Sequence, residues 1–387
     1  MRDGGLPGVD RLAGTARGRF GGLRETISLV AHLELPALRE AMLRRRRGSA
    51  SAVRLGLPLA IALVAGAAAA TPVAAHGIVT VGPPDPANLL LGWSFEPLIA
   101  IPLLALAVTW LKVVGRVNAA HPANSVPRVR TWCFLGGLGA IAVALQSGIE
   151  RYDTALFSIH MVQHILLTLI APPLIVLAGP ITLVLRASSH ETRVRWILPV
   201  LHSRVLRVIT FPVIPAIVFA AVMWATHFSP MFNASLEDPL VHDLEHALYL
   251  GAGLLFWWPA LGVDPSPWRM SHPVRAMYVF LQMPQNTFLA VALLSATAPL
   301  YQHYVTLVRW WGPTPLEDQQ MAAGIMWLVG DVVFLTVILG LIAAWMRHEE
   351  RATARADRRA DAEMAVIHAR EAMLAERLAR EQGSDDR

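Results

Sequence analysis

A chain of 387 residues that is 55% apolar and only 16% charged, with a positive mean hydropathy, does not fit a soluble domain. Its net charge of +5 is almost entirely arginine placed in short polar loops and at the two ends, which argues for orientation in a lipid bilayer and needs no nucleic acid. The single cysteine, Cys133, excludes a disulfide framework, a Cys-x-x-Cys metal clasp and a thiol relay within one chain.

Residues 1–41 are rich in Gly and Arg and weakly periodic. Arg44-Arg45-Arg46-Arg47, the apolar stretch Leu55–Ala70 and the small-residue exit Val73-Ala74-Ala75 follow in the order of a secretory signal. Cleavage after Ala75 would make His76 the new terminus; the alternative keeps Leu55–Ala75 as a first anchor. Seven further apolar segments approach or reach the ~20 residues that a spanning helix needs. They are Leu89–Leu111, Trp132–Gly148, Ala155–Leu177, Ile209–Ala225, Ala247–Val263, Met277–Ala298 and Met321–Met346. The expected architecture is all-α: a polytopic bundle of about seven spanning helices over 76–346, preceded by the 1–75 leader or anchor. A charged tail over 347–387, dominated by Ala, Arg and Glu, is expected to be a cytoplasmic helix.

The loops alternate in character. Lys112, Arg116, Arg128 and Arg130 fall in one, Arg186, Arg193, Arg195, Arg204 and Arg207 in another, Arg269 and Arg275 in a third. The intervening loops hold only Arg151 and Arg309 among several acids, so the positive-inside rule puts the C-terminus in the cytoplasm. His76, His160, His164, His227, His242, His246 and His303 then fall on the outer side, and His121, His190, His202 and His272 on the inner.

Two of those outer sets are His-x-x-x-His pairs, His160/His164 and His242/His246. Residues four apart share a helix face, so each pair can present two imidazoles toward one ion or a shared cavity. Ionisable groups inside spanning segments are costly, which favours a metal role for the pairs over simple interface caps. Imidazole suits copper and zinc. His227 and His303, taken singly, read as polar caps at the interface. Met161, Met223, Met231, Met283 and Met321 are ordinary gap-fillers in apolar helices or, near the histidines, thioether donors for Cu(I). Gln163, Gln282, Gln285 and Asn286 suit interhelical hydrogen bonds, and Glu96 and Asp331 are expected as buried acids.

The string Phe157-Ser158-Ile159-His160-Met161-Val162-Gln163-His164, continuing through Ala171-Pro172-Pro173-Leu174 to Ala178-Gly179-Pro180, resembles the signature of the CtaG-type cytochrome c oxidase assembly factors of the caa(3) kind. His242-Asp243-Leu244-Glu245-His246, Phe256-Trp257-Trp258-Pro259, Pro284-Gln285-Asn286 and Leu316-Glu317-Asp318-Gln319-Gln320 extend the likeness, from about Trp93 to Trp345. The resemblance implies a plasma-membrane protein, not an enzyme, that helps to build a haem-copper oxidase by handling copper on the outer face. Its partners would be the oxidase subunits, the bilayer and copper chaperones. The expected metal ligands are His160, His164, His242 and His246, with Met161 nearby and His227 or His303 as peripheral helpers. Three other readings stay open: a haem b protein with iron between His164 and His246, a copper transporter, and an intramembrane metalloprotease. The last lacks the Glu of His-Glu-x-x-His beside either first histidine.

Overall fold

The first long helix begins later than its apolar run suggests. In the computed structural model, which describes residues 82–385, α1 (Pro86–Leu91) is a short helix of its own, capped by the Asp85 carboxylate. α2 (Pro97–Ala120) starts at a proline whose missing N–H costs nothing at that position. It runs on past Lys112 and Arg116, both exposed. The expected leader over residues 1–75 and its terminal His76 lie outside the described residues.

α3 (Arg128–Gln146) and the short α4 (Gly148–Tyr152) follow, separated at Ser147, whose hydroxyl caps α4. α5 (Phe157–Ile165) passes through a turn of π-helix at Leu166–Ile170 into α6 (Ala171–Ala178), and Gly179 in the left-handed region turns the chain into α7 (Pro180–Ala187). Pro172 explains part of this irregular middle: it has no N–H to give the Thr168 carbonyl four residues earlier. The indole of the fully buried Trp257 donates to that carbonyl at 3.0 Å and satisfies it.

Short helices α8 (His190–Thr192), α9 (Leu198–Leu201) and α10 (Arg204–Ile209) lead to α11 (Val213–His227). α12 (Met231–Glu237) folds back from α11 at 68°. α13 (Pro239–Leu261), α14 (His272–Phe280), α15 (Gln282–Leu294), α16 (Gln302–Thr306) and α17 (Pro315–Asp385) complete the chain. Every regular element among the described residues is helical.

Five helices among the described residues are long and apolar enough to cross a membrane, or six if the bent α11–α12 pair forms one span. The expected span that falls outside this set is α13. It begins two turns before the apolar run at Ala247, so that His242, Asp243, Glu245 and His246 lie within the helix. α17 is continuous from the last apolar segment into the charged tail, with no break at residue 346. At 1.5 Å per residue its 71 residues extend roughly 105 Å. Glu96 and Asp331, expected as buried acids, are half-buried; Asp331 accepts hydrogen bonds from Asn286 Nδ2 and Thr287 Oγ1, both at 3.3 Å.

α13 lies at the centre, packed on α6, α11 and α12, while α17 runs along α5, α14 and α15. Lipid tails offer no hydrophobic drive for helix association, so close backbone approach has to supply the contact energy. Gly253 makes it possible between α13 and α6: a Cβ there would stand 2.7 Å from Pro172 Cγ and 2.8 Å from the Thr168 oxygen. That contact holds the second histidine pair against the first.

Candidate metal centre

The two histidine pairs converge. The ring centres of His160 and His164 are 4.2 Å apart, those of His242 and His246 4.1 Å, and the pairs approach at 5.5 Å (His160 to His242) and 6.5 Å (His164 to His246). Spacing of four on each helix accounts for the short distances within pairs. The packing of α13 against α6 and the π-helical turn that continues α5 accounts for those between them. All four side chains are buried.

A carboxylate lies in the middle of the set. Glu245 Oε2 is 3.7 Å from His160 Nε2 and 3.9 Å from His164 Nε2, and Glu245 is fully buried. A second buried acid, Asp153, has Oδ2 3.5 Å from His242 Nε2. Burial pushes the Asp153 carboxyl up to about 7, against the pull of His160. The ligand-type atoms form two overlapping groups, Asp153/His242/His246 and His160/His242/Glu245, in each of which all lie within 4.8 Å of one another. His242 belongs to both.

The donors are poorly satisfied by protein. Both ring nitrogens of His160 and of His164, and both carboxylate oxygens of Glu245, have no hydrogen-bond partner among the described residues. Buried polar groups are normally hydrogen-bonded, and buried charges are paired or coordinate metals. A cluster of imidazole nitrogens and carboxylate oxygens at these separations fits a borderline divalent ion such as copper or zinc.

The surroundings hold the rings in place. Tyr249 stacks on His164 with ring centres 3.9 Å apart. The bend between α11 and α12 inserts the fully buried Phe232 among the histidines, 5.0 Å from the ring of His160 and 5.9 Å from that of His227. Gln163 on α5 donates to the Ala144 carbonyl at 3.1 Å and to Glu150 at 2.5 Å, fixing the rotation of α5 against α3 and α4. The N-terminus of α5 has no side-chain cap of its own. Asp318 of α17 supplies one, accepting from the backbone N–H groups of Phe157 at 2.6 Å and Ser158 at 3.3 Å. That is the structural use of the Leu316–Gln320 motif.

Of the other expected site residues, Met161 and His227 adjoin the cluster on a different side. Their Sδ and Nε2 atoms face each other at 3.5 Å. His303 is engaged elsewhere. Its Nε2 bonds the Thr154 carbonyl at 2.9 Å and its N–H meets Asn233, so it braces the loop after α4. Glu245 and Asp153 were not among the expected ligands. Glu245 was legible in principle, three residues after His242 and hence on the same helix face as that ring. Asp153 lies in a short connection with no periodic signal.

A sequence profile of the cytochrome c oxidase caa3 assembly factors (Caa3_CtaG) matches residues 108–348. Uncharacterized proteins of Mycobacterium bovis and Mycobacterium tuberculosis are each 31% identical over 303 residues, and one of Mycobacterium leprae is 30% identical over the same length. Each alignment covers 76% of this chain and 46% of the relative, so the chain spans about half the length of the curated relatives it matches. No solved structure matches the chain. With most of its membrane helices and both histidine pairs inside the matched region, the chain belongs to the cytochrome c oxidase caa3 assembly factor family.

Proposed function

We propose that this protein serves oxidase assembly by binding copper as cargo in the buried cluster of His160, His164, His242, His246, Glu245 and Asp153. The observation that carries the reading is the convergence of His160, His164 and His242 on the buried Glu245, with His246 and Asp153 grouped on the other side of His242 and the ring nitrogens of His160 and His164 without a hydrogen-bond partner among the described residues. Such a donor set is expensive to bury without a cation.

The cluster lies toward the outer face of a bacterial plasma membrane, and the C-terminal helix is cytoplasmic. Supporting this orientation, Arg186 at the end of α7 and Arg193, Arg195, Arg204 and Arg207 between α7 and α11 gather at the opposite end of the helices from the histidine pairs. A copper centre of an oxidase or a copper chaperone could then exchange the ion from the same compartment.

The test is a double variant, His160→Ala with His246→Ala, which removes one ligand from each pair. The bundle is held by helix packing and internal hydrogen bonds, so the protein should still insert. Copper content of the purified protein and oxidase activity of the membranes should fall together. Normal copper content with normal oxidase activity would make the pairs structural and sink the reading.

A further inference from the structure

We propose that the small cavity beneath the histidine cluster is a second metal station, distinct in chemistry from the first. It would take a soft monovalent ion, Cu(I) or Ag(I), on the Met161 thioether and His227 Nε2. The proposal rests on the copper reading of the cluster and adds to it a separate sulfur-lined site.

The cavity, about 30 Å³, is lined by Met161, Met223, Met326, His164, His227 and Asn286, with apolar walls completed by phenylalanines. That volume holds an ion or one or two waters. Three methionines and two histidines meet there with no carboxylate among the lining residues. The cluster above has Glu245 and Asp153 within reach of its rings. Thioether sulfur selects Cu(I), whereas carboxylate and imidazole together suit divalent ions. Absence of an acid also favours the lower charge, because an uncompensated divalent ion in an apolar wall carries a larger desolvation cost.

The tautomer of His227 supplies the independent observation. Its Nδ1 is 2.7 Å from the Met223 carbonyl oxygen, which can only accept, so Nδ1 carries the proton. In the neutral ring Nε2 then presents a lone pair, and what it faces at 3.5 Å is the Met161 sulfur, itself a lone-pair donor. Two buried donors with no proton between them are a natural pair of ligands for a soft cation. Stacking of His227 on Phe232 holds the ring in this orientation. His164 joins the stations, since it lines the cavity and also has Nε2 3.9 Å from Glu245.

The experiment measures Ag(I) and Zn(II) binding to the full-length protein in detergent by equilibrium dialysis. Ag(I) stands in for Cu(I) without redox chemistry. Met161→Leu with Met223→Leu is nearly volume-conserving, and a thermal unfolding scan checks that the variant is folded. The expected result is at least a tenfold loss of Ag(I) affinity with Zn(II) affinity unchanged. The converse pair, His242→Ala with His246→Ala, should lose Zn(II) and keep Ag(I). X-ray absorption of the wild-type protein loaded with Cu(I) under reductant should show sulfur neighbours, a readout that needs no variant. Ag(I) affinity equal in wild type and in the Met161→Leu/Met223→Leu protein overturns the second station and leaves the cluster standing. Ag(I) lost only with His242 and His246 puts the soft ion in the cluster and also overturns it. If the wild-type protein binds neither metal, both readings fall.

Discussion

The two histidine pairs have the same spacing and opposite dependencies. α13 caps itself: the Asp238 carboxylate at its start accepts from the N–H groups of Leu240 at 2.8 Å and Val241 at 3.4 Å, one turn before His242. α5 has no cap of its own and borrows Asp318 from α17, 161 residues away along the chain. The second pair is therefore placed by its own helix, and the first only once the last helix has docked. A site built from both is complete only in the fully assembled bundle, which would tie the proposed ion binding to the folded state.

The largest expected effect follows from the one ring common to both ligand groups. His242→Ala should lower copper affinity beyond the roughly 100-fold that changes outside a metal's immediate ligands reach. His164→Ala, which lies in neither group, should cost less, and equal losses in the two variants by equilibrium dialysis would show that the groups do not describe the site. Glu245→Gln keeps the shape and removes the charge facing His160 and His164, with an expected fall of roughly 10–100-fold. Unchanged affinity there would shift the weight of the site to Asp153.

The capping contrast is sharpened by a matched pair of smaller changes. Asp318→Ala strips the N–H groups of Phe157 and Ser158 of a buried charged acceptor, so it should cost about 2 kcal/mol and also weaken copper binding, about tenfold, through the tilt of α5. Asp238→Ala removes an exposed cap. It should cost about 1 kcal/mol and leave copper affinity within about twofold, because packing on α11 and α12 still fixes α13. Unfolding scans paired with dialysis read both, and a larger effect on copper from Asp238→Ala would reverse the assignment.

Helical periodicity made the class of fold, most of the apolar segments and the four paired histidines legible before any coordinates. Spacing of four and the alternation of arginine-rich loops are local properties, and local properties survive without knowledge of the packing. Boundaries were less legible. Leu89–Leu111 became Pro97–Ala120, and Ala247–Val263 became Pro239–Leu261, because proline starts and polar first turns are invisible to a hydropathy run.

Tertiary structure decided the rest. It chose Glu245, not Asp243, as the acid facing both rings of the first pair, brought Asp153 from a loop to His242, turned Met161 away from the cluster toward His227, and gave His303 to a loop carbonyl. Each of these depends on which residues of distant helices meet, and helix packing fixes that through close contacts such as Gly253 on Pro172 and long-range caps such as Asp318 on α5. By itself the sequence determined the donors and their spacing along each helix. Where their free valences point was settled by packing, because the rotation of one helix against another is a property of the interface and not of either strand of sequence.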